Sequence, residues 1–192
     1  MYDHKALEQM WSAVESGNLE WVKDLHKKGV CIKNGRLLIE AVDRGYINIV
    51  DYFIKNNVDV NLTGIGGGTA LHAAAHFGYI DIVRLLLSTG TNKCDVNKVC
   101  DLKSTPLFDA VFSKNTEIVD LIVAHGGNVH HIDSFGKNLL HTAVYTHDLN
   151  MVSHILRLGV NTEQKNNDNY TPLQLAQKYN IHNVINILSV GI

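Results

Sequence analysis

The chain has few cysteines, no long apolar run and no basic block, and each shortage removes a class of protein. Cys31, Cys94 and Cys100 are an odd and sparse set among 192 residues. They suit a reducing compartment better than a disulfide framework. No stretch approaches the ~18 apolar residues that a membrane span needs, so no membrane association is expected. Net charge is −2, and without clustered Lys and Arg there is no footprint for a phosphate backbone, so nucleic acid is not an expected partner. The opening residues, Met1-Tyr2-Asp3-His4-Lys5-Ala6-Leu7-Glu8, lack the apolar centre of a secretory leader and read directly as helix. The expected location is the cytoplasm, with a leaderless export route left open.

Reactive constellations are also missing. No Ser-His-Asp, Cys-His or paired-carboxylate set can be placed, and Glu40, Asp43 and Asp109 read as isolated acids on helices. The run Gly64-Ile65-Gly66-Gly67-Gly68-Thr69 resembles a phosphate cradle but lacks the preceding strand and the Gly-Lys-Ser/Thr ending. Cys94 and Cys100 with His130 and His131 match no usual zinc spacing and read as solvated loop residues. Asn61-Leu62-Thr63 and Asn169-Tyr170-Thr171 match the glycosylation sequon, which means little without a leader. No catalysis, cofactor or metal is expected.

What the chain does have is repetition. From Gly68 to Gly90 a small-residue helix, a Gly stop at Gly78, an aliphatic helix and a second Gly stop follow one another. A helix pair this short cannot bury its apolar face alone and must stack on copies of itself. Inner-helix stops recur at Gly17, Gly45, Gly78, Lys114, His147 and Asn180. Outer-helix stops recur twelve residues later at Gly29, Asn57, Gly90, Gly126 and Gly159. Gly and Asn tolerate the left-handed conformation of such a stop, whereas Lys114 and His147 cost about 1 kcal/mol each.

The blocks Thr69-Ala70-Leu71-His72, Thr105-Pro106-Leu107-Phe108, Asn138-Leu139-Leu140-His141 and Thr171-Pro172-Leu173-Gln174 resemble those of ankyrin repeats. So do the period of 33 and the starts Asp59-Val60-Asn61 and Asp95-Val96-Asn97. Thr69, Thr105 and Thr171 cap helix N-termini, Pro106 and Pro172 suit the first helical position, and the resemblance makes His72 and His141 structural. It implies an all-α solenoid of six stacked helix-turn-helix units with β-hairpin fingers, forming a single domain over 1–192. The repeats fall near 4–30, 34–58, 64–91, 100–127, 133–160 and 166–190, the first and last acting as caps. In repeat one Trp11 stands at the His position and Trp21 where the outer helix puts an aliphatic core residue. Asn183 and Asn186 dilute the last outer helix. Two joints are irregular: the glycine-rich finger at 63–68, and three extra residues between Gly90 and Asn97.

The resemblance further implies that finger tips and inner helices line a concave partner-binding surface. Two apolar ladders fall there. Ile65, Leu102 and Phe135 align near the finger tips. His76, Phe112 and Tyr145 share one inner-helix position, with Phe77, Ser113, Thr146 and Tyr179 beside it. Burial of these rings between neighbouring helices is the alternative to an interface. Asp43, Arg44, Lys103 and Asp109 are placed to tune partner choice. The expected function is non-catalytic recognition of a protein partner, as an adaptor or inhibitor that is a monomer on its own. The alternative is an effector of an intracellular bacterium or virus acting on a host protein in the host cytoplasm. Lys far outnumbers Arg and Asn is abundant, as in AT-rich genomes.

Overall fold

The computed structural model of the chain describes residues 4–88 and 93–190; Met1, Tyr2, Asp3 and the expected stop Gly90 lie outside them. The described residues contain twelve α-helices and fall into two compact units, 1–95 and 96–192. The division falls inside the joint that carries the three extra residues. In the first unit α1 (His4–Glu15), α3 (Gly35–Asp43) and α5 (Ala70–His76) are the inner helices. Their outer partners are α2 (Leu19–Lys27), α4 (Ile47–Lys55) and α6 (Ile80–Leu87). In the second unit α7 (Pro106–Phe112), α9 (Leu139–Thr146) and α11 (Pro172–Lys178) alternate with α8 (Thr116–Ala124), α10 (Leu149–Arg157) and α12 (His182–Val190).

Helices this short are marginal alone, so packing holds them. Within each unit every inner helix packs on its outer partner and on the next inner helix. One residue makes that close approach possible. Ala13, Ala41, Ala74, Ala110, Ala143 and Ala176 stand four residues before each inner stop, and all six are fully buried. A side chain ending at Cβ lets backbones approach where a longer one would hold them apart. The outer helices add apolar filling to that of the inner ones, including Ile49, Val50 and Phe53 of α4 and Ile118, Val119 and Ile122 of α8. On α12 Val184 is the one residue fully buried, as an outer helix diluted by Asn183 and Asn186 requires.

All the inner stops are left-handed: Gly17, Gly45, Gly78, Lys114, His147 and Asn180 have φ between 55° and 73°. So are the outer stops Gly29, Asn57, Gly126 and Gly159. At most inner stops the next amide reaches back to the buried Ala carbonyl, as from Tyr46 to Ala41 at 2.8 Å and from Tyr79 to Ala74 at 2.9 Å. Repeat five solves the same problem differently. There the Thr146 hydroxyl donates to Ala143 O at 2.7 Å and accepts from Asp148 N at 3.2 Å. Gly17 is needed for space as well as for φ, because a Cβ there would lie 2.9 Å from the Tyr46 ring.

Three expectations need correction. The fingers are not β-hairpins: among the described residues the β pairing is a lone bridge, Thr63 with Thr69. Each finger is instead a five-residue loop closed by one backbone bond, from Gly64 to Gly68, Cys100 to Ser104, Asp133 to Lys137 and Asn166 to Tyr170. The fourth residue of each loop, Gly67, Lys103, Gly136 or Asn169, is left-handed. Trp21 is not a core residue; it is 36% exposed, and Val22 and Leu25 carry the buried stripe of α2. Cys94 is not solvated but buried, and burial pushes its thiol up to about 12.

Candidate protein-binding site

The inner helices begin with caps that set the direction of everything beyond them. In α11 Thr171 Oγ1 accepts from Gln174 N at 3.3 Å while Gln174 Oε1 accepts from Thr171 N at 3.0 Å. Asn138 and His141 make the same reciprocal pair in α9. The His141 Nε2 donates to Tyr170 O at 3.0 Å, leaving Nδ1 to accept from Asn138 N. Burial holds the His141 imidazole below its ordinary pKa, as an accepting nitrogen requires. Thr69 N and Oγ1 lie 3.1 and 2.9 Å from His72 Nδ1. Pro106 and Pro172 occupy the first helical turn and are buried. Repeat four breaks the pattern. Phe108 replaces the polar residue, and the buried Thr105 Oγ1 has no hydrogen-bond partner.

In two finger tips of the second unit side chains hold the backbone. Asp133 Oδ1 accepts from Phe135 N and Lys137 N at 2.8 and 2.9 Å. Asn166 Oδ1 accepts from Asp168 N and Tyr170 N at 3.1 and 2.9 Å. Neighbouring tips are then tied together, Ser134 N to Leu102 O and Asn167 N to Phe135 O, both 2.9 Å. Leu102 and Phe135 are thus equivalent. Ile65 falls one residue earlier in its own loop, at the loop position that Asp101 and Ser134 hold in theirs, and is 87% exposed on the 3-10 turn Ile65–Gly67.

The rings of the inner-helix ladder stand out from the surface and are not sealed between helices. In the second unit Phe112 is 56%, Phe135 48%, Tyr145 38% and Tyr179 51% exposed. Thr146 is buried and Ser113 half-buried. Asp109 is half-buried on α7, and Lys103 gives its carbonyl oxygen to His131 Nε2 at 2.6 Å. In the first unit His76 meets Phe77 edge-on at 5.2 Å, and Phe77 stacks on Tyr79 at 5.6 Å. Asp43 and Arg44 lie at the end of α3, with Arg44 bonded to Glu40. Asp43 lines a small cleft with Trp11, Ile39 and Ile65; partial burial, then repulsion from Glu40, raises its carboxyl above the ordinary value.

Two lysines missed by the sequence ladders join the rings of the second unit into one string. Lys137 Nζ lies 5.2 Å from the Phe135 ring centre and 4.8 Å from that of Tyr145. Lys178 Nζ lies 4.3 Å from the Tyr170 ring and 5.8 Å from the Tyr179 ring. Tyr145 and Tyr179 are 5.8 Å apart and close the gap. Partial burial and the neighbouring Tyr179 raise the Tyr145 phenol above its usual value, so it stays neutral at physiological pH. Each exposed cation on a ring is worth about 0.5–1 kcal/mol, which biases the side chain toward the ring against a rotamer entropy of about 1.5–2 kcal/mol. The signal was available: Lys178 is the fourth member of the column His76, Phe112, Tyr145. The string offers flat apolar faces and ammonium donors, and no reacting set.

The family model for ankyrin repeats in three copies matches residues 38–133 and 107–192, and the chain belongs to the ankyrin repeat family. It is 31% identical over 79% of its length to a fowlpox virus protein described as an ankyrin repeat protein, of which it spans 46%. It is 32% identical over 71% of its length to the mouse homologue of the B-cell lymphoma 3 protein, spanning 30% of it. A mimivirus protein described as an ankyrin repeat protein is 28% identical over 80% of the chain, which spans 20% of that protein. The chain thus covers less than half of each of these relatives. Ankyrin repeats are protein–protein interaction modules and, as a family, a non-catalytic fold. No helix among the described residues is long and apolar enough to cross a membrane.

Proposed function

We propose that the chain, as one repeat domain over 1–192, is a non-catalytic adaptor or inhibitor. It docks a partner protein through its finger tips and inner-helix ends, with the second unit as the main anchor. The observation that carries this is the exposure of Phe112, Phe135, Tyr145 and Tyr179 on elements whose backbones are already tied down. Aromatic rings bury much area while losing few rotatable bonds, and a preformed surface spares the ordering cost of binding. Leu102 extends the apolar surface, and Lys103 and Asp109 border it. Ile65, His76, Phe77, Asp43 and Arg44 form the corresponding surface of the first unit. The test is affinity capture with the wild type beside Phe112→Ala/Tyr145→Ala, both checked for unchanged circular dichroism and melting. Partners held by the wild type and lost by the double variant support the reading. Equal capture by both proteins refutes it.

The second reading is an effector that acts in the cytoplasm of a host cell. The fowlpox virus and mimivirus relatives favour it. Immunodetection in infected cells tests it: the protein in the host cytosol supports this reading, and the protein confined to its producing organism refutes it.

A further inference from the structure

We infer that the partner segment seated on the second unit is acidic, with carboxylates that meet Lys137 and Lys178 between apolar side chains that meet the rings; this rests on the docking reading above. Two sets of lysines in the chain contrast. On the outer helices Lys23, Lys28 and Lys55 are each bound to a carboxylate one turn away, Glu20, Asp24 and Asp51, at 2.6–2.7 Å. Each of those ammonium groups already has a carboxylate beside it, so an incoming one meets local repulsion.

Lys137 and Lys178 make no ion pair among the described residues and rest on ring faces instead. A ring face attracts the charge but takes none of it away, and an ammonium carries three N–H donors. Donors therefore remain for an incoming oxygen. Asp168 lines the same cleft as Lys178 and Tyr170 without pairing with that lysine. Covering the flanking rings removes water from around the ammonium groups, which strengthens a carboxylate contact there and leaves a basic or neutral segment with unpaired charge. The rings also bias both side chains toward the string before binding, so less rotamer freedom is lost.

The arrangement points to a linear segment. Within repeat five the lysine is on the finger and the tyrosine on the helix, Lys137 and Tyr145. Within repeat six the roles are exchanged, Tyr170 on the finger and Lys178 on the helix. Each cation is thus flanked by two rings along the string Phe135, Lys137, Tyr145, Tyr179, Lys178, Tyr170, with Tyr145 and Tyr179 side by side at its middle. A chain with two separated acids, each set among large apolar residues, matches that spacing.

Selection of a random twelve-residue phage-displayed library on the full chain tests this. Selected peptides are synthesised and measured by fluorescence anisotropy against wild type, Lys137→Gln/Lys178→Gln, Phe135→Ala/Tyr145→Ala and the control Lys23→Gln/Lys28→Gln. The expected result is enrichment of Asp and Glu among Leu, Phe and Trp. Affinity should fall on the order of tenfold or more in Lys137→Gln/Lys178→Gln and stay unchanged in the control. Enrichment of neutral or basic peptides, no enrichment over an unrelated protein, or acidic peptides indifferent to Lys137→Gln/Lys178→Gln overturns the inference. Peptides that need Phe135 and Tyr145 but not the lysines overturn it while leaving the docking reading intact. Peptides indifferent to both pairs overturn both.

Discussion

The missing hydrogen bond of Thr105 makes a sharp prediction, because a chemically identical residue in the same unit has its bond. Thr105 and Thr171 both stand at the N-cap position of a seven-residue inner helix that begins with Pro, and both have extended backbone, φ −102° and −73°. Thr171 exchanges two bonds with Gln174. Thr105 faces Phe108, which has nothing to exchange, and its hydroxyl is buried without a partner. Replacing Thr by Val keeps the shape and the β-branch that suits extended backbone, and removes only the hydroxyl. At Thr171 this deletes a working cap and costs about 1 kcal/mol. At Thr105 it removes a desolvated group whose unpaired burial costs about 1–3 kcal/mol, so the variant gains about 1 kcal/mol. The two variants should therefore separate by about 2 kcal/mol with opposite signs. Urea unfolding at constant m-value measures both. A Thr105→Val protein that loses as much stability as Thr171→Val would refute the account of repeat four.

Three further outcomes follow from single positions. Burial holds the folded His141 below its ordinary pKa. The unfolded chain therefore takes up a proton below about pH 6.5 that the folded one refuses. Stability contributed by His141 is full above that pH and falls as pH drops toward the folded value. The urea midpoint should fall between pH 7.5 and 5.5, with a shallower slope in His141→Gln. At pH 8 a maleimide should label exposed Cys31 in the folded protein but reach Cys94 only after urea is added, since Cys94 is buried and its thiol is raised to about 12; mass spectrometry of the labelled peptides decides it. Gly136→Ala places a Cβ 3.0 Å from Asn167 N at φ +72°, whereas Gly159→Ala at φ +74° meets nothing within 4 Å. The left-handed strain of about 1 kcal/mol is common to both, so the excess loss in Gly136→Ala, read from urea midpoints, reports the close approach of neighbouring tips.

The frame was legible because its demands are local and recur. A left-handed stop at a constant distance from a buried Ala leaves a mark at the same offset in every repeat. The constant twelve residues between inner and outer stops identified Lys114 and His147 as stops although neither is Gly, and both have positive φ. Where the reading failed, the controlling interaction was not in the pattern consulted. The fingers were expected to need ladders, but an Asx oxygen at the first loop position, Asp133 or Asn166, already satisfies the turn amides that a second strand would have satisfied. Trp21 misled through its size: hydrophobic bulk suggested a core position, yet Val22 and Leu25 define the buried face of α2 and Trp21 lies about 100° away from Val22 around the helix.

The candidate binding surface was half legible for a related reason. Comparing repeats column by column finds residues that do the same job in each copy, and it found Phe112, Tyr145 and Tyr179. It is blind to a pair that joins two columns within one repeat and exchanges its chemistry in the next. Lys137 with Tyr145, and Tyr170 with Lys178, are such pairs. In a single column each reads as an alternation between a ring and a charge, which looks like the drift of an unconstrained surface position. The two columns together show a conserved contact of opposite polarity: cation on finger and ring on helix, then ring on finger and cation on helix. A frame that fixes finger and helix at a constant separation leaves the contact free to be written in either direction. Charge placement on this face can therefore vary from repeat to repeat without disturbing the stack beneath.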